Sequence, residues 1–267
     1  MTIEIETIYQ DRDETKADII KHVVDQLGEK TKQDQCDQPL WVLGYGSLIF
    51  KPPPHAKYRI KGYIHGFIRR FWQSSSDHRG TPESPGRVVT LVTLEDVVKN
   101  SRFHSDALEY ELSSKSIHEA SEKDLKIWGC IYYIPAEFAR EVGDYLDVRE
   151  QDGYSIHTVN FNMVLSEDQS GDVELLDAIA HLDKNAIGHP MINSMVYIGT
   201  VSNESFVGPE DLQETASIIA SSVGPSGPNI EYLLELEASL DDFKQQDRYI
   251  KELSQRVRAI LDSEPRV

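Results

Sequence analysis

A turn with two glycines near the start of the chain could bind an anionic group. Its residues, Gly44-Tyr45-Gly46-Ser47, follow an apolar run from Trp41 to Leu43 that predicts a buried strand. Glycine gives the backbone access to positive φ values and lets a ligand approach closely. Successive N–H groups in such a turn can converge on a carboxylate. The turn alone is a weak indication, because most Gly-x-Gly turns only redirect the chain.

A carboxylate that could act as a general base stands where a predicted helix should end. An apolar stripe at helical spacing follows Pro135, and the turn Asp152-Gly153 should stop the helix. Glu150 lies at this end, where burial would lift its pKa from ~4.3 towards the value that a general base needs. Acidic residues also recur every third position from Glu141 to Glu150, which is equally typical of a solvated helix face.

Arginines cluster after the glycine turn in a chain that is otherwise acidic. Between Phe67 and Arg87 the acidic residues are Asp77 and Glu83, and the basic ones are Arg69, Arg70, Arg79 and Arg87. Guanidinium groups bind carboxylates through paired hydrogen bonds, so an anionic ligand would be drawn to this cluster. Pairing with the protein's own acidic residues explains the same pattern. From residue types alone, that second interpretation is favoured.

Composition excludes several classes of function. The 267 residues carry 45 acidic against 27 basic side chains, a net charge of -18, and such a surface repels a phosphate backbone. The two cysteines, Cys36 and Cys130, have no metal-type spacing and favour a reducing compartment. No apolar run reaches the ~20 residues of a membrane helix. We therefore expect a cytoplasmic protein, with the nucleus as a second compartment, that binds neither nucleic acid nor membrane.

Known catalytic motifs of other kinds are missing from the sequence. The nine histidines show no His-x-x-x-His spacing, and there is neither a phosphate-binding loop nor a Gly-x-Ser-x-Gly elbow. The segment Gly224-Pro-Ser-Gly-Pro predicts a rigid entry to a helix near Ile230, with Asn229 as its N-cap. Cys130 lies within a predicted strand and should be a core residue.

The predicted elements indicate an α+β fold. Strands are expected over 60–64, 68–73, 87–94, 127–134, 154–165 and 195–201, and helices over 135–150, 212–221, 231–240 and 248–261. Such short strands with glycine bends are compatible with a closed barrel. Residues 1–39 are a charged N-terminal extension with one predicted helix over Thr15–Leu27. Residues 40–267 form the main domain, with polar insertions near 95–126 and 166–193.

These features occur in an order that resembles the ChaC-type γ-glutamylcyclotransferases, which act on glutathione. The segments that carry the resemblance span residues 41 to about 240. They are Trp41-Val-Leu-Gly-Tyr-Gly-Ser-Leu-Ile, Arg69-Arg-Phe-Trp-Gln, Asp77-His-Arg-Gly, Pro85-Gly-Arg-Val-Val-Thr-Leu-Val, Tyr145-Leu-Asp-Val-Arg-Glu, Gly153-Tyr154, Tyr197-Ile-Gly-Thr, Gly224-Pro-Ser-Gly, Asn229 and Glu231-Tyr-Leu. So many segments in the family's order make a chance match very improbable.

The resemblance implies a small mixed β-barrel with flanking helices, and neither metal nor organic cofactor. Glutathione would be cut to 5-oxoproline and the dipeptide Cys-Gly, with Glu150 as the single acid/base. The family's glycine–tyrosine–glycine–serine loop, which holds the γ-glutamyl group, corresponds here to Val42, Leu43, Gly44, Tyr45, Gly46, Ser47 and Leu48. For the substrate carboxylates we expect Arg79 or Arg87. Tyr145 and Tyr154 flank Glu150 and either wall the pocket and orient its carboxylate or serve as packing residues.

Two alternatives stay open at the level of sequence. A cyclotransferase for other γ-glutamyl amino acids or amines would use the same chemistry. A non-catalytic module that recognises γ-glutamyl ligands or a protein partner is weaker, because Glu150 and the glycine turn are both present. The sequence does not indicate protein partners.

Overall fold

The computed structural model describes residues 38–113, 115–150 and 154–263. Its centre is a closed five-stranded barrel with the strand order β1-β5-β2-β6-β7, beside a separate β3–β4 hairpin and a short β8–β9 hairpin. The strands are β1 (Leu40–Gly44), β2 (Tyr58–His65), β3 (Phe67–Ser75), β4 (Gly86–Thr93), β5 (Lys126–Ile134), β6 (Ser155–Met163), β7 (Met191–Ile198), β8 (Val223–Gly224) and β9 (Gly227–Pro228). The expected small barrel is confirmed.

Helices flank the barrel on its outside and are concentrated towards the end of the chain. They are α1 (Leu94–Lys99), α2 (His104–Ala107), α3 (Ala136–Arg149), α4 (Glu167–Ser170), α5 (Val173–Ile179), α6 (Leu212–Ser221), α7 (Asn229–Asp242) and α8 (Arg248–Ser263). The four longest agree with the predicted helices. The predicted helix over Thr15–Leu27 and the turn Asp152-Gly153 lie outside the described residues. Among the described helices, none combines the length and the apolar character needed to cross a membrane.

Antiparallel ladders build most of the barrel, and one parallel contact closes it. β5 lies between β1 and β2, with Leu43 opposite Ile131, and β1 meets β7 in parallel where Val42 is opposite Met195. Gly62 on β2 allows β6 to pack closely, since a Cβ there would lie 2.1 Å from Asn162 O. The interior is apolar and includes the buried thiol of Cys130, as expected. This rigid barrel fixes the end of β1, where the glycine turn begins.

β7 begins and ends earlier than the sequence suggested. The prediction of a strand over 195–201 was wrong at both ends. At the start, the polar residues Asn193 and Ser194 conceal the strand. In the structure these two residues pair with Asn160 and Val159 in the β6–β7 ladder, and Ser194 is buried. Backbone pairing therefore extends the strand through a stretch that residue types alone would assign to a loop.

The polar segment after β4 is folded and packs on the β3–β4 hairpin. A second apolar cluster lies there, formed by Ile68, Trp72, Val92, Val97, Phe103, Ala107, Leu112, Ile117 and Leu125. The same segment supplies Asp106 and Glu111, which pair with the fully buried guanidinium of Arg70 at 2.6 and 2.7 Å. A buried charge is tolerated only when it is paired in this way. That residues 95–126 and 166–193 are insertions within the family stays a prediction.

The expected role of Asn229 as a helix N-cap was wrong. Pro228 precedes α7 at the cap position, and no side chain caps the helix. The Asn229 side chain is instead buried and bonds both backbone groups of Arg87, accepting from its N–H at 2.6 Å and donating to its carbonyl at 2.7 Å. Asn229 thus ties the start of α7 to β4, which brings Tyr232 of that helix against the glycine turn.

Candidate active site

A cavity of about 360 Å³ opens at the end of β1. Its walls come from the glycine turn, the C-terminal end of α3, the loop after β3, the β8–β9 hairpin and the first turn of α7. The lining residues are Leu43, Tyr45, Gly46, Ser47, Leu48, Lys51, Pro52, Ser74, Ser75, Asp77, His78, Arg79, Val88, Val89, Tyr145, Arg149, Glu150, Tyr154, Tyr197, Ser226 and Tyr232. Segments that lie far apart in the sequence, including β4 and β7, therefore meet at one site.

The glycine turn is packed tightly against the cavity wall. A short 3-10 helix, Ser47–Ile49, follows it, and Ile49 N–H donates to Gly46 O at 2.9 Å. Neither Gly44 nor Gly46 uses the positive φ values that glycine permits. Glycine is required at position 46 for space, because a Cβ there would lie 2.6 Å from Val89 Cγ2 and 2.7 Å from the Tyr232 hydroxyl.

Polar bonds to neighbouring elements hold Tyr45 in this turn. Arg69 Nη1 donates to Tyr45 O at 2.7 Å, and the Tyr45 hydroxyl donates to the carbonyl of Tyr197 on β7 at 2.9 Å. The side chain of Arg69 also reaches Asp247 at 3.2 Å. Burial raises the pKa of Tyr45, so it stays a neutral hydroxyl at physiological pH. The turn is thereby fixed before any ligand binds.

Glu150 ends α3, and its carboxylate faces the cavity. Its N–H donates to Leu146 O at 2.9 Å, which completes the last helical turn, and its side chain is 16% exposed. Burial raises the pKa of the Glu150 carboxyl, while the neighbouring Arg149 and, less strongly, His78 lower it and Asp77 adds a small rise. The net shift is upward, as the sequence led us to expect for a buried general base.

The neighbouring Arg149 links Glu150 to the glycine turn. Its Nε lies 3.3 Å from Glu150 Oε1, while Nη2 donates to Ser47 Oγ at 3.0 Å and Nη1 to Lys51 O at 3.2 Å. Arg149 was not among the predicted site residues. Its position beside Glu150 was the available signal, but on an exposed helix end an arginine is as readily a solvated residue.

The two candidate arginines have different surroundings. Arg87 pairs with both carboxylate oxygens of Glu210, at 2.6 and 2.7 Å, and does not line the cavity. Arg79 does line it, and its buried side chain donates to Pro228 O at 2.8 Å and lies 3.5 Å from the half-exposed Glu231. Of the two, Arg79 is the residue placed to meet a ligand.

Three tyrosines complete the wall around Glu150. The Tyr197 hydroxyl donates to Asp147 Oδ1 at 2.7 Å, and the Tyr154 hydroxyl lies 3.5 Å from Val89 O. Burial and the charge of Glu150 raise the pKa of Tyr232 to about 12, despite the opposing effect of the Val89 and Ser47 amides. Each of these groups can donate a hydrogen bond near neutral pH.

The structure brings together most of the predicted site residues. Glu150, Leu43, Tyr45, Gly46, Ser47, Leu48, Arg79 and Tyr154 line one cavity, as does Tyr145, whereas Val42, Gly44 and Arg87 do not. Val42 is fully buried in the barrel, and Gly44 pairs with Cys130 at the end of β1. In the part of the chain that the structure describes, no group of three or more His, Cys, Asp or Glu side chains is placed to hold a metal ion.

Comparison with known proteins gives consistent matches. Residues 40–260 match the family described as "ChaC-like protein". A glutathione-specific γ-glutamylcyclotransferase of Saccharomyces cerevisiae is 50% identical over 202 residues, 75% of this chain and 85% of the relative. One of the same name from Schizosaccharomyces pombe is 36% identical over 222 residues, 82% of this chain and 92% of the relative. A crystal structure of a yeast γ-glutamylcyclotransferase specific to glutathione has a TM-score of 0.77, 45% identity, and covers 83% of this chain and 96% of that one.

Proposed function

The chain belongs to the ChaC-like protein family, and we propose that it is a glutathione-specific γ-glutamylcyclotransferase. The enzyme is a lyase that converts glutathione into 5-oxoproline and Cys-Gly. The observation that carries this function is the cavity in which the buried Glu150 carboxylate and the glycine turn are held together. Both lie within residues 40–260, which match the ChaC-like family.

The reaction is an intramolecular displacement, so the protein's main task is to shape the substrate. The α-amine of the γ-glutamyl group attacks its own γ-carbonyl, forms a C–N bond and closes a five-membered ring. Nucleophile and electrophile belong to one molecule, so the protein has only to hold them in the attack geometry. This orientation supplies much of the rate enhancement. The rigid wall formed by Tyr45, Gly46 and Tyr232 is suited to folding the γ-glutamyl chain in this way.

Glu150 is the proposed acid/base. The amine attacks in its neutral form, and as the new C–N bond forms the Glu150 carboxylate accepts the one proton that the attacking nitrogen must lose to become the lactam N–H. The protonated carboxyl then donates that proton to the nitrogen of the leaving Cys-Gly as the amide C–N bond breaks. An upward-shifted pKa suits a group that must both accept and return a proton near neutral pH. One proton leaves the attacking nitrogen and one reaches the leaving nitrogen, so the step balances.

Two further roles are proposed for the cavity wall. Backbone N–H groups of the Tyr45–Ser47 turn would stabilise the oxyanion of the tetrahedral intermediate, since such donors act most strongly in a dry and fixed site. Arg79 would bind a carboxylate of glutathione, because its half-exposed partner Glu231 lies only at 3.5 Å and can be replaced by a substrate anion. Arg87, already saturated by Glu210, would not take part in binding.

The cellular location stays a prediction: we propose a cytoplasmic enzyme, also present in the nucleus, which would lower the glutathione pool.

The function is tested by incubating the purified protein with reduced glutathione, without added metal, and measuring 5-oxoproline and Cys-Gly. We expect equal amounts of both products. γ-Glutamylalanine serves as the comparison substrate, and turnover of it at an equal or higher kcat/KM would contradict specificity for glutathione.

A further inference from the structure

One side chain joins the two parts of the site that come from distant segments. The guanidinium of Arg149 contacts three acceptors: the Glu150 carboxylate at 3.3 Å, Ser47 Oγ at 3.0 Å and Lys51 O at 3.2 Å. Ser47 begins the short helix after the glycine turn and Lys51 lies just beyond its end, where Lys51 N–H also donates to Ser47 O at 2.8 Å. Arg149 is 17% exposed. Through these bonds the guanidinium connects the end of α3 directly to the glycine turn.

We propose that Arg149 is a positioning residue that holds the Glu150 carboxylate against the glycine turn and keeps it ionised until the substrate amine arrives. This role rests on the proposed function of Glu150 as the acid/base. Arg149 itself transfers no proton, because a guanidinium does not lose one in proteins. It sets where the carboxylate lies and which charge it carries.

The shape of the side chain explains why an arginine stands here. A guanidinium presents a planar fork of donors in fixed directions, so it can bond a hydroxyl, a carbonyl and a carboxylate at once. A lysine would keep the positive charge but is a point charge with a flexible stem. Substitution by lysine therefore separates the electrostatic contribution of Arg149 from its geometric one.

The titratable groups that influence Glu150 lie on several of the elements around it. Arg149 is on its own helix, Asp77 and His78 are on the loop after β3, and Tyr45, Tyr197 and Tyr232 face it from the turn, β7 and α7. The tyrosines stay neutral near pH 7 because burial raises their pKa values. Among the described residues, Arg149 is the cation in ion-pair contact with Glu150 and has the largest lowering effect on its pKa.

The kinetic test uses Arg149→Gln, Arg149→Lys and a matched control, Arg140→Gln, on the exposed side of the same helix. For Arg149→Gln we expect kcat for 5-oxoproline formation to fall roughly 10- to 100-fold, and the acidic limb of the pH–rate profile to move to higher pH. Arg149→Lys should lose kcat to a similar extent while its acidic limb stays near that of the wild type. Arg140→Gln should change neither quantity.

A second variant covers the case in which Arg149→Gln does not fold. Ser47→Ala removes one acceptor of the guanidinium but leaves its charge, so it should lower kcat without moving the acidic limb. Thermal unfolding of each variant identifies any loss of the folded state. A wild-type kcat in Arg149→Lys and Ser47→Ala would overturn the positioning role.

A measurement without substrate separates this proposal from the proposed function. The ¹³C carboxyl resonance of Glu150, assigned by its loss in Glu150→Gln, is titrated in the wild type, Arg149→Gln and Arg140→Gln. We expect its midpoint to rise in Arg149→Gln alone. An unchanged midpoint would contradict the electrostatic role of Arg149 even if the enzyme is active. If the midpoint rises while glutathione is not cleaved, the contact is correct and the assignment of the reaction fails.

Discussion

The hydroxyl of Tyr197 on β7 donates a hydrogen bond of 2.7 Å to Asp147 Oδ1, one turn before the end of α3. Tyr197 is buried, and its backbone carbonyl accepts a hydrogen bond of 2.9 Å from the Tyr45 hydroxyl. A single residue of the barrel therefore contacts both the helix that carries Glu150 and the turn opposite it. The barrel wall therefore sets the distance between Glu150 and the glycine turn.

Tyr197→Phe tests this coupling, because it removes the bond to Asp147 and keeps the ring. A hydrogen bond to a charged group contributes about 1.5–3 kcal/mol, so we expect kcat to fall by about tenfold or more as α3 loses its anchor. Tyr58→Phe is the control, since its hydroxyl lies 3.4 Å from Asp172 Oδ1 and away from the cavity. Equal effects of the two substitutions on kcat would contradict the coupling.

Gly46→Ala should damage the site with little change to the barrel. The added methyl would lie 2.6 Å from Val89 Cγ2 and 2.7 Å from the Tyr232 hydroxyl, so the turn or α7 must move. Gly143→Ala in α3 is the control, with nothing within 4 Å of its Cβ, and it should stabilise the helix by about 0.5–1 kcal/mol. The measurements are kcat/KM for glutathione and the free energy of unfolding. A fully active Gly46→Ala would show that close packing at this turn is dispensable.

The sequence was sufficient for the seven longer strands and the four longest helices, but not for the shorter elements or for the contacts between elements. The apolar stripe after Pro135 and the turn at Gly44 have local signatures, and both lie where they were expected. The partners of Arg69, Arg70 and Arg87 are Asp247, Glu111 and Glu210, which all stand more than 30 residues further along the chain, so only the fold reveals these pairs. The pairing of Arg149 with Ser47 is likewise a long-range contact, which no periodicity reveals.

Arg79 and Arg87 offer a matched pair for the carboxylate site. Arg79→Gln should lower kcat/KM for glutathione roughly 10- to 100-fold, mostly through KM, because a charge-assisted bond to substrate is lost. Arg87→Gln leaves Glu210 without its partner and should reduce the free energy of unfolding instead. Steady-state kinetics and denaturant unfolding of both variants check this division. If KM rises in Arg87→Gln and not in Arg79→Gln, then Arg87 rather than Arg79 binds the substrate carboxylate.

In the wild type, Glu150 should add a pH dependence to the folding stability that the Glu150→Gln variant lacks. Burial raises its folded-state pKa, so the folded protein binds this proton more tightly than the unfolded chain. The stability that the group contributes is complete below its unfolded pKa and is lost as pH rises through the folded pKa. The Tm of Glu150→Gln relative to the wild type should therefore increase with pH across that window. A Tm difference that is constant or falls with pH would show that the carboxyl is not shifted upward.

The central claim, that Glu150 is the acid/base of glutathione cyclisation, is tested by a single turnover measurement. Excess wild type, Glu150→Gln and the exposed control Glu137→Gln are each mixed with glutathione, and 5-oxoproline and bound substrate are both followed. We predict that Glu137→Gln matches the wild type, while Glu150→Gln binds glutathione and forms 5-oxoproline at least 10²–10⁴-fold more slowly, the range of general acid–base catalysis. Formation of 5-oxoproline by Glu150→Gln at the wild-type rate would contradict the mechanism.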